Sequence, residues 1–241
     1  GTASSVRDAL NALDGSLLIQ AMQSGVYFWR FKHPTVRDAF ATVISEDREL
    51  MDIYLTGAPL DRLFDEVTCG DVGIQGVKVI VPPDRYELFI SRLASVDPAK
   101  HWSVWQLHRF LAFRCEHAFL ARYVEQKPEF VPGLKVGSYL YAVSDVNVIV
   151  RLSEFGLLPA PKRNAVVAAI RELAVGTPDA GFLADRVRTL LTPHELSQIL
   201  EDIRTKKTTR VFPELWALSS HDHFVFERVH ELYARARAPL E

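Results

Sequence analysis

Phe31-Lys32-His33-Pro34-Thr35-Val36-Arg37-Asp38-Ala39-Phe40 decides the fold, because the hydrophobic period changes inside it. Up to Lys32 the run Val26-Tyr27-Phe28-Trp29-Arg30 is aromatic and partly alternating, which predicts a strand. Beyond Pro34 the apolar residues Val36, Phe40 and Val43-Ile44 recur at helical spacing. Proline suits the first helical position and cannot continue a central strand, so the switch is placed at His33-Pro34. Working upstream, a second apolar run, Ser16–Ala21, is set off by the polar break Gln23-Ser24-Gly25, and the two runs predict a hairpin. Before it, Ser5 with Asp8 forms a capping box for a short helix, Val6–Leu13, that stops at Asp14-Gly15.

Helix, hairpin and helix in this order make the back half of a winged helix. Downstream, helices are expected at Glu46–Leu55 and Pro59–Val67, and at Asp84–Ala94 behind a capping box of Asp84 and Glu87. Between them, residues 69–81 hold three glycines and the β-branched run Val77–Val81, which predicts a linker with one short strand. Ser103 with Gln106 predicts the start of one long helix reaching Glu125, with Trp105, Phe110, Phe113 and Phe119 as its apolar stripe. Lys127-Pro128 and Val131-Pro132-Gly133 mark a second boundary. After a mixed segment Val136–Phe155, helices are expected at Arg163–Ala174 and Asp179–Leu191. Thr192 then caps a further helix, with Pro193 at its first turn and Glu195 as the returning carboxylate. Pro213–Leu218 and Asp222–Ala236 finish the chain. The fold class is therefore mainly α: a partial winged helix, then a helical region. Antiparallel helix pairs over 160–205 hint at a solenoid, although no fixed-period repeat is present. The expected divisions are 1–68, 69–130 and 131–241.

Composition narrows the function classes. Of 241 residues, 48% are hydrophobic and 24% charged, which excludes a disordered or collagen-like chain. The 28 basic and 30 acidic residues leave a net charge of −2, so no global basic field draws the chain to nucleic acid or anionic lipid. Two cysteines, Cys69 and Cys115, make no disulfide framework, and no apolar run is long enough to span a bilayer. The expectation is a cytoplasmic protein without a membrane partner.

Motifs for catalysis are sparse. A phosphate-binding loop ends in Gly-Lys-Ser/Thr, and the chain contains no Gly-Lys dipeptide. Gly70, Gly73 and Gly76 lack the paired first glycines of a dinucleotide turn. No nucleophile elbow occurs, and Cys115 on an aromatic helix reads as a small buried hydrophobe. His223, Glu227 and His230 share one helix face with zinc-compatible spacing, but an N-terminal cap and an amphipathic, solvated helix account for the same residues better, and no metal site is assigned. His101 and His108 read as ordinary core or surface residues. Arg204, Lys206, Lys207 and Arg210 gather four cations after a helix end, which serves the helix dipole and a solvated turn before it serves nucleic-acid contact. Trp102, Trp105, Phe110 and Phe113 read as core before they read as a peptide groove.

Three stretches carry a family resemblance: Ala9-Leu10 to Leu13, Gly15-Ser16-Leu17-Leu18-Ile19, and the decisive segment from Phe31 to Phe40. Together they resemble the end of the ATPase region in STAND proteins, the signal-transduction NTPases with numerous domains, within the bacterial group called novel STAND NTPase 3. Glu49-Leu50 and Ala58-Pro59-Leu60-Asp61-Arg62-Leu63-Phe64 look like the same family; Arg151 to Pro159 is similar less specifically. The resemblance implies that residue 1 falls inside the winged helix of a larger ATPase, whose phosphate loop and magnesium ligand come earlier. This stretch would then hold no cofactor and catalyse nothing, while ATP or ADP and magnesium belong to the full-length protein. His33 matches the histidine that touches the β-phosphate of ADP in the closed state. The family's Met-His-Asp is replaced here by Phe31-Lys32-His33-Pro34, and a plain N-cap histidine is the competing reading. Arg37, Lys206, Lys207 and Arg210 are the interaction candidates. The implied partners are an upstream ATPase domain and a protein trigger, with oligomer formation on activation and a role in bacterial antiviral defence. Two rival readings are a winged-helix DNA-binding regulator and a metal-dependent enzyme at His221–His230. The first is opposed by the acidic balance and by a reading helix whose one cation is Arg7.

Overall fold

The switch from strand to helix at His33-Pro34 organises the N-terminal part of the chain. In the computed structural model, which describes residues 3–23, 26–74, 79–137, 140, 144–176 and 180–205, helix α1 (Ala3–Leu13) leads into strands β1 (Leu18–Gln23) and β2 (Val26–Phe31). Gly15 ends α1 with φ +74, a left-handed conformation that glycine adopts without a Cβ penalty. The strands pair antiparallel, Leu18 opposite Phe31 and Gln20 opposite Trp29, and the Lys32 N–H donates to the Leu17 carbonyl at 2.9 Å to close the ladder. Helix α2 (Pro34–Glu46) follows at once. The described residues are mainly helical, with two small two-stranded sheets.

Contacts divide the chain into two units, Gly1–Ser95 and Val96–Glu241. In the first, Asp47 caps helix α3 (Arg48–Gly57), its Oδ1 accepting the Glu49 and Leu50 N–H groups at 2.8 and 3.0 Å. Helix α4 (Leu60–Glu66) runs into strand β3 (Val67–Cys69), which pairs in parallel with β4 (Val79–Val81). A 3-10 turn at Pro83–Arg85 and helix α5 (Tyr86–Leu93) complete the unit. Its core is Leu55, Leu63, Val67, Cys69, Val81, Tyr86 and Phe89, all fully buried, with Ile44 reaching in from α2. The division expected after residue 68 falls inside β3. The capping box expected from Asp84 and Glu87 gives way to ion pairs: the Asp84 carboxylate lies 3.5 Å from Arg48 and 3.3 Å from Arg85, and α5 starts at Tyr86 with no side-chain cap.

The second unit holds α6 (His101–Phe113), α7 (His117–Gln126), the single turn α8 (Phe130–Gly133), α9 (Ser144–Glu154), α10 (Ala160–Gly176), a 3-10 turn Ala180–Leu183, α11 (Asp185–Arg188) and α12 (Pro193–Thr205). The division expected after residue 130 falls inside α8. The single long helix expected from Ser103 to Glu125 is in fact two. Arg114, at φ −119 and ψ 9, leaves the helical region, and the break lets Phe110 and Phe119 meet edge to face at 6.5 Å. Cys115 is buried at that corner, its thiol 3.7 Å from the Phe110 carbonyl, as a small hydrophobe would be. Helix α9 ends at Gly156, φ +69, where the Leu157 N–H returns to the Leu152 carbonyl at 2.8 Å. Among the described residues the helices range from four to seventeen residues and repeat no fixed pair. Among the described residues, no helix is long and apolar enough to cross a membrane.

Candidate functional site

His33 sits between β2 and α2, where the backbone must leave the strand and enter a helix. Its extended conformation, φ −132 and ψ 143, is the one that a following proline enforces. The imidazole folds back on the helix it caps: Nδ1 accepts the Thr35 N–H at 3.2 Å and lies 2.7 Å from the Thr35 hydroxyl. A ring nitrogen that accepts is unprotonated, so the neutral ring carries its proton on Nε2, and His33 is exposed. The backbone beside it offers little. Pro34 has no N–H, that of Thr35 is taken by the ring, and that of Val36 bonds the His33 carbonyl at 3.1 Å. The Thr35 and Val36 amides are therefore not open to an anion, and the donor that the cap leaves on His33 is Nε2–H. Arg37 lies in the first turn of α2, and its side chain is outside the described residues.

Beside this junction the first unit holds an open apolar pocket of about 740 Å³. Leu13 at the end of α1, Leu17 in the turn before β1, Trp29 and Phe31 on β2, and Phe40 and Val43 on α2 form much of its wall. Phe31 and Phe40 touch at 5.3 Å between ring centroids. Yet Leu17, Phe40 and Val43 remain 44, 46 and 50% exposed. One end is polar. Tyr54 donates to Glu66 at 2.7 Å and the Arg62 Nε donates to the same carboxylate at 3.4 Å. Burial, reinforced by Glu66, pushes the Tyr54 phenol above its usual range, so it stays a donor. The pocket thus supplies shape and apolar area, with a neutralised carboxylate at one end. His33 is not part of its wall.

Two polar pairs of the second unit are at least partly buried. His108, 8% exposed, has Nδ1 2.6 Å from the Asp145 carboxylate, which also accepts the Lys135 N–H at 3.0 Å. His101 stands apart from it, exposed at the start of α6. Glu195 closes the capping box that its sequence position predicts, with its Oε2 2.8 Å from the Thr192 N–H and its own N–H 3.2 Å from the Thr192 hydroxyl. Arg163 adds a fork to both carboxylate oxygens, and this pairing above all holds Glu195 down to about 2.

The aromatic set of α6 divides. Phe110 is core, as expected. Trp102 and Phe113 are 65 and 40% exposed, which contradicts the expectation of burial for both. Burial of the α6 face carrying Leu107, Phe110 and Leu111 turns the neighbouring file outward. Cys69 is buried in the first unit. Among the described residues, no group of three His, Cys, Asp or Glu side chains is placed to hold a metal. Lys206, Lys207, Arg210 and the His221–His230 stretch lie outside the described residues. Comparison with known proteins finds no matching family model, no matching curated protein and no matching solved structure.

Proposed function

We propose that this chain is a regulatory, protein-sensing portion of a STAND-type signalling ATPase, and not itself the catalyst. The reading is supported by the histidine at the end of β2, whose ring is held by Thr35 through Nδ1, so that Nε2–H is the donor left to meet an anion. That is the chemistry a phosphate contact needs, and the sequence around it, Phe31 to Phe40, is what resembles the family. The absence of a Gly-Lys phosphate loop from the sequence agrees with catalysis residing on other residues of the protein. ATP or ADP with magnesium would then bind the ATPase region, and His33 would report on the nucleotide from the side. A role in bacterial defence and assembly into an oligomer on activation belong to the same proposal.

Two measurements test it. The chain alone should show no ATP turnover; robust turnover would overturn the reading. In the protein carrying the ATPase region, His33→Ala should loosen ADP by about tenfold, the loss of one hydrogen bond to a charged group. An unchanged ADP affinity would remove His33 from the nucleotide.

A further inference from the structure

Trp102, Trp105, Arg109 and Phe113 follow one another along α6 at spacings of three, four and four residues, so they form one file on one face of the helix. The two tryptophans stack at 4.8 Å with their planes 16° apart. The Arg109 guanidinium continues the row, 5.5 Å from the Trp105 ring centroid. At the far end the Arg186 guanidinium lies 4.3 Å over Phe113, steadied by a 2.7 Å hydrogen bond to Asn147. The file spans about 16 Å at the helical rise. Its two ends are the exposed aromatics, so a row of large rings faces water at a cost in stability that the fold of this unit does not require.

Charge says what suits it. The thirteen residues of α6 contain no aspartate and no glutamate. Near Phe113, Arg151 is paired with Glu154 at 3.2 Å, and that carboxylate also acts on Arg186 without an ion pair to it, so among the described residues Arg109 and Arg186 are the cations of the file with no salt bridge. Both are arginines laid against rings, so their planar forks are held ready for carboxylates at a reduced entropy cost. A single-stranded nucleic acid needs cations tracking successive phosphates, and two are too few. Trp and Arg together are the residues that anchor protein partners. We propose that this file is a docking surface for an acidic protein segment that presents carboxylates beside an apolar side chain. The apolar group would pack on Trp102, and the carboxylates would meet Arg109 and Arg186. The proposal goes beyond the ATPase reading and stands without it.

The test is selection of short random peptides displayed on phage against the whole chain, followed by measurement of the selected peptides by fluorescence anisotropy. Selected peptides should be rich in Asp and Glu with an aromatic or aliphatic residue nearby. Trp102→Ala and Arg109→Glu should each weaken them by about tenfold, and Arg109→Gln less than Arg109→Glu. Both side chains are exposed, and far-UV circular dichroism verifies that the variants fold. Peptides without an acidic bias, binding indifferent to both variants, no selected peptide at all, or an oligothymidine that displaces them would each overturn the proposal. Failure here would leave the His33 measurement untouched, so the two readings fall separately.

Discussion

Phe119 and Phe40 are the same side chain on helices of the two units, and one is fully buried while the other is 46% exposed. Phe119 lies in a closed core of the second unit, where His108 is paired with Asp145 and, elsewhere, Arg163 with Glu195. Around Phe40 the first unit leaves α1, the hairpin and α2 converging on a pocket with apolar walls and one polar end. The first unit has a buried core as well, built from α3, α4, α5 and the parallel strands. Leu13, Leu17, Phe40, Val43 and Ile53, all exposed, line the pocket, while Ile74 and Ile80 are exposed outside its wall. In the second unit the described large apolar side chains left exposed, Trp102 and Phe113, stand in one row on one helix. Exposure through converging elements suits a ligand or a helix that fills a hollow, whereas exposure along a row suits a partner that lies across it.

Substitutions can break this contrast. The largest effect is expected for Phe119→Ala, which should cost about 3–5 kcal/mol in urea unfolding, because it empties a packed site and removes the edge-to-face partner of Phe110. A loss below about 1 kcal/mol would mean that the corner between α6 and α7 is held by something else. Asp145→Ala should cost about 2–4 kcal/mol by thermal unfolding, since His108 and the Lys135 N–H lose their shared acceptor. If instead it is neutral, the closed character of the second unit does not depend on paired polar groups.

The third effect is a pH dependence. Arg163 holds Glu195 at about 2, below the ordinary 4.5, so as pH falls the unfolded chain takes up that proton first. The contribution is complete above about pH 4.5 and is lost between there and about 2. With the carboxylate a quarter exposed, it should amount to about 1–2 kcal/mol. Glu195→Gln should flatten that part of the stability profile; an unchanged slope would show that Arg163 and Glu195 do not act as a pair in solution. The smallest effect is expected for Phe40→Ser, at about 1 kcal/mol or less, because the ring is half in water already. A loss as large as that of Phe119→Ala would erase the contrast between the units.

What the chain order reveals and what it hides follow from the range of the forces involved. The hairpin, the helix start at Pro34 and the cap at Thr192 depend on residues within four positions of each other, and each was readable from proline, glycine and turn chemistry. The break at Arg114 carries no glycine or proline, so nothing local announces it; the packing of Phe110 on Phe119 imposes it. His108 finds Asp145 across 37 positions and Arg163 finds Glu195 across 32, distances over which side-chain periodicity gives no partner. Asp84 had the right spacing for a cap, but Arg48 and Arg85 were nearer competitors for its carboxylate. As for the site, the position of His33 was legible, whereas its tautomer required the Thr35 contact, and the outward turn of Trp102 and Phe113 required knowing which face of α6 is covered.

The spent donors at the start of α2 carry one more consequence. A loop of free amides would cradle an anion and keep it, but Pro34 has no N–H and those of Thr35 and Val36 are taken, so the donor that the cap leaves on His33 is Nε2–H alone. One such bond is worth about 1–3 kcal/mol, enough to reweight two arrangements by roughly tenfold or more and too little to retain a phosphate unaided. If His33 meets an anion as proposed, the junction suits sensing and not storage, because a bond of that size registers an arrival and lets go.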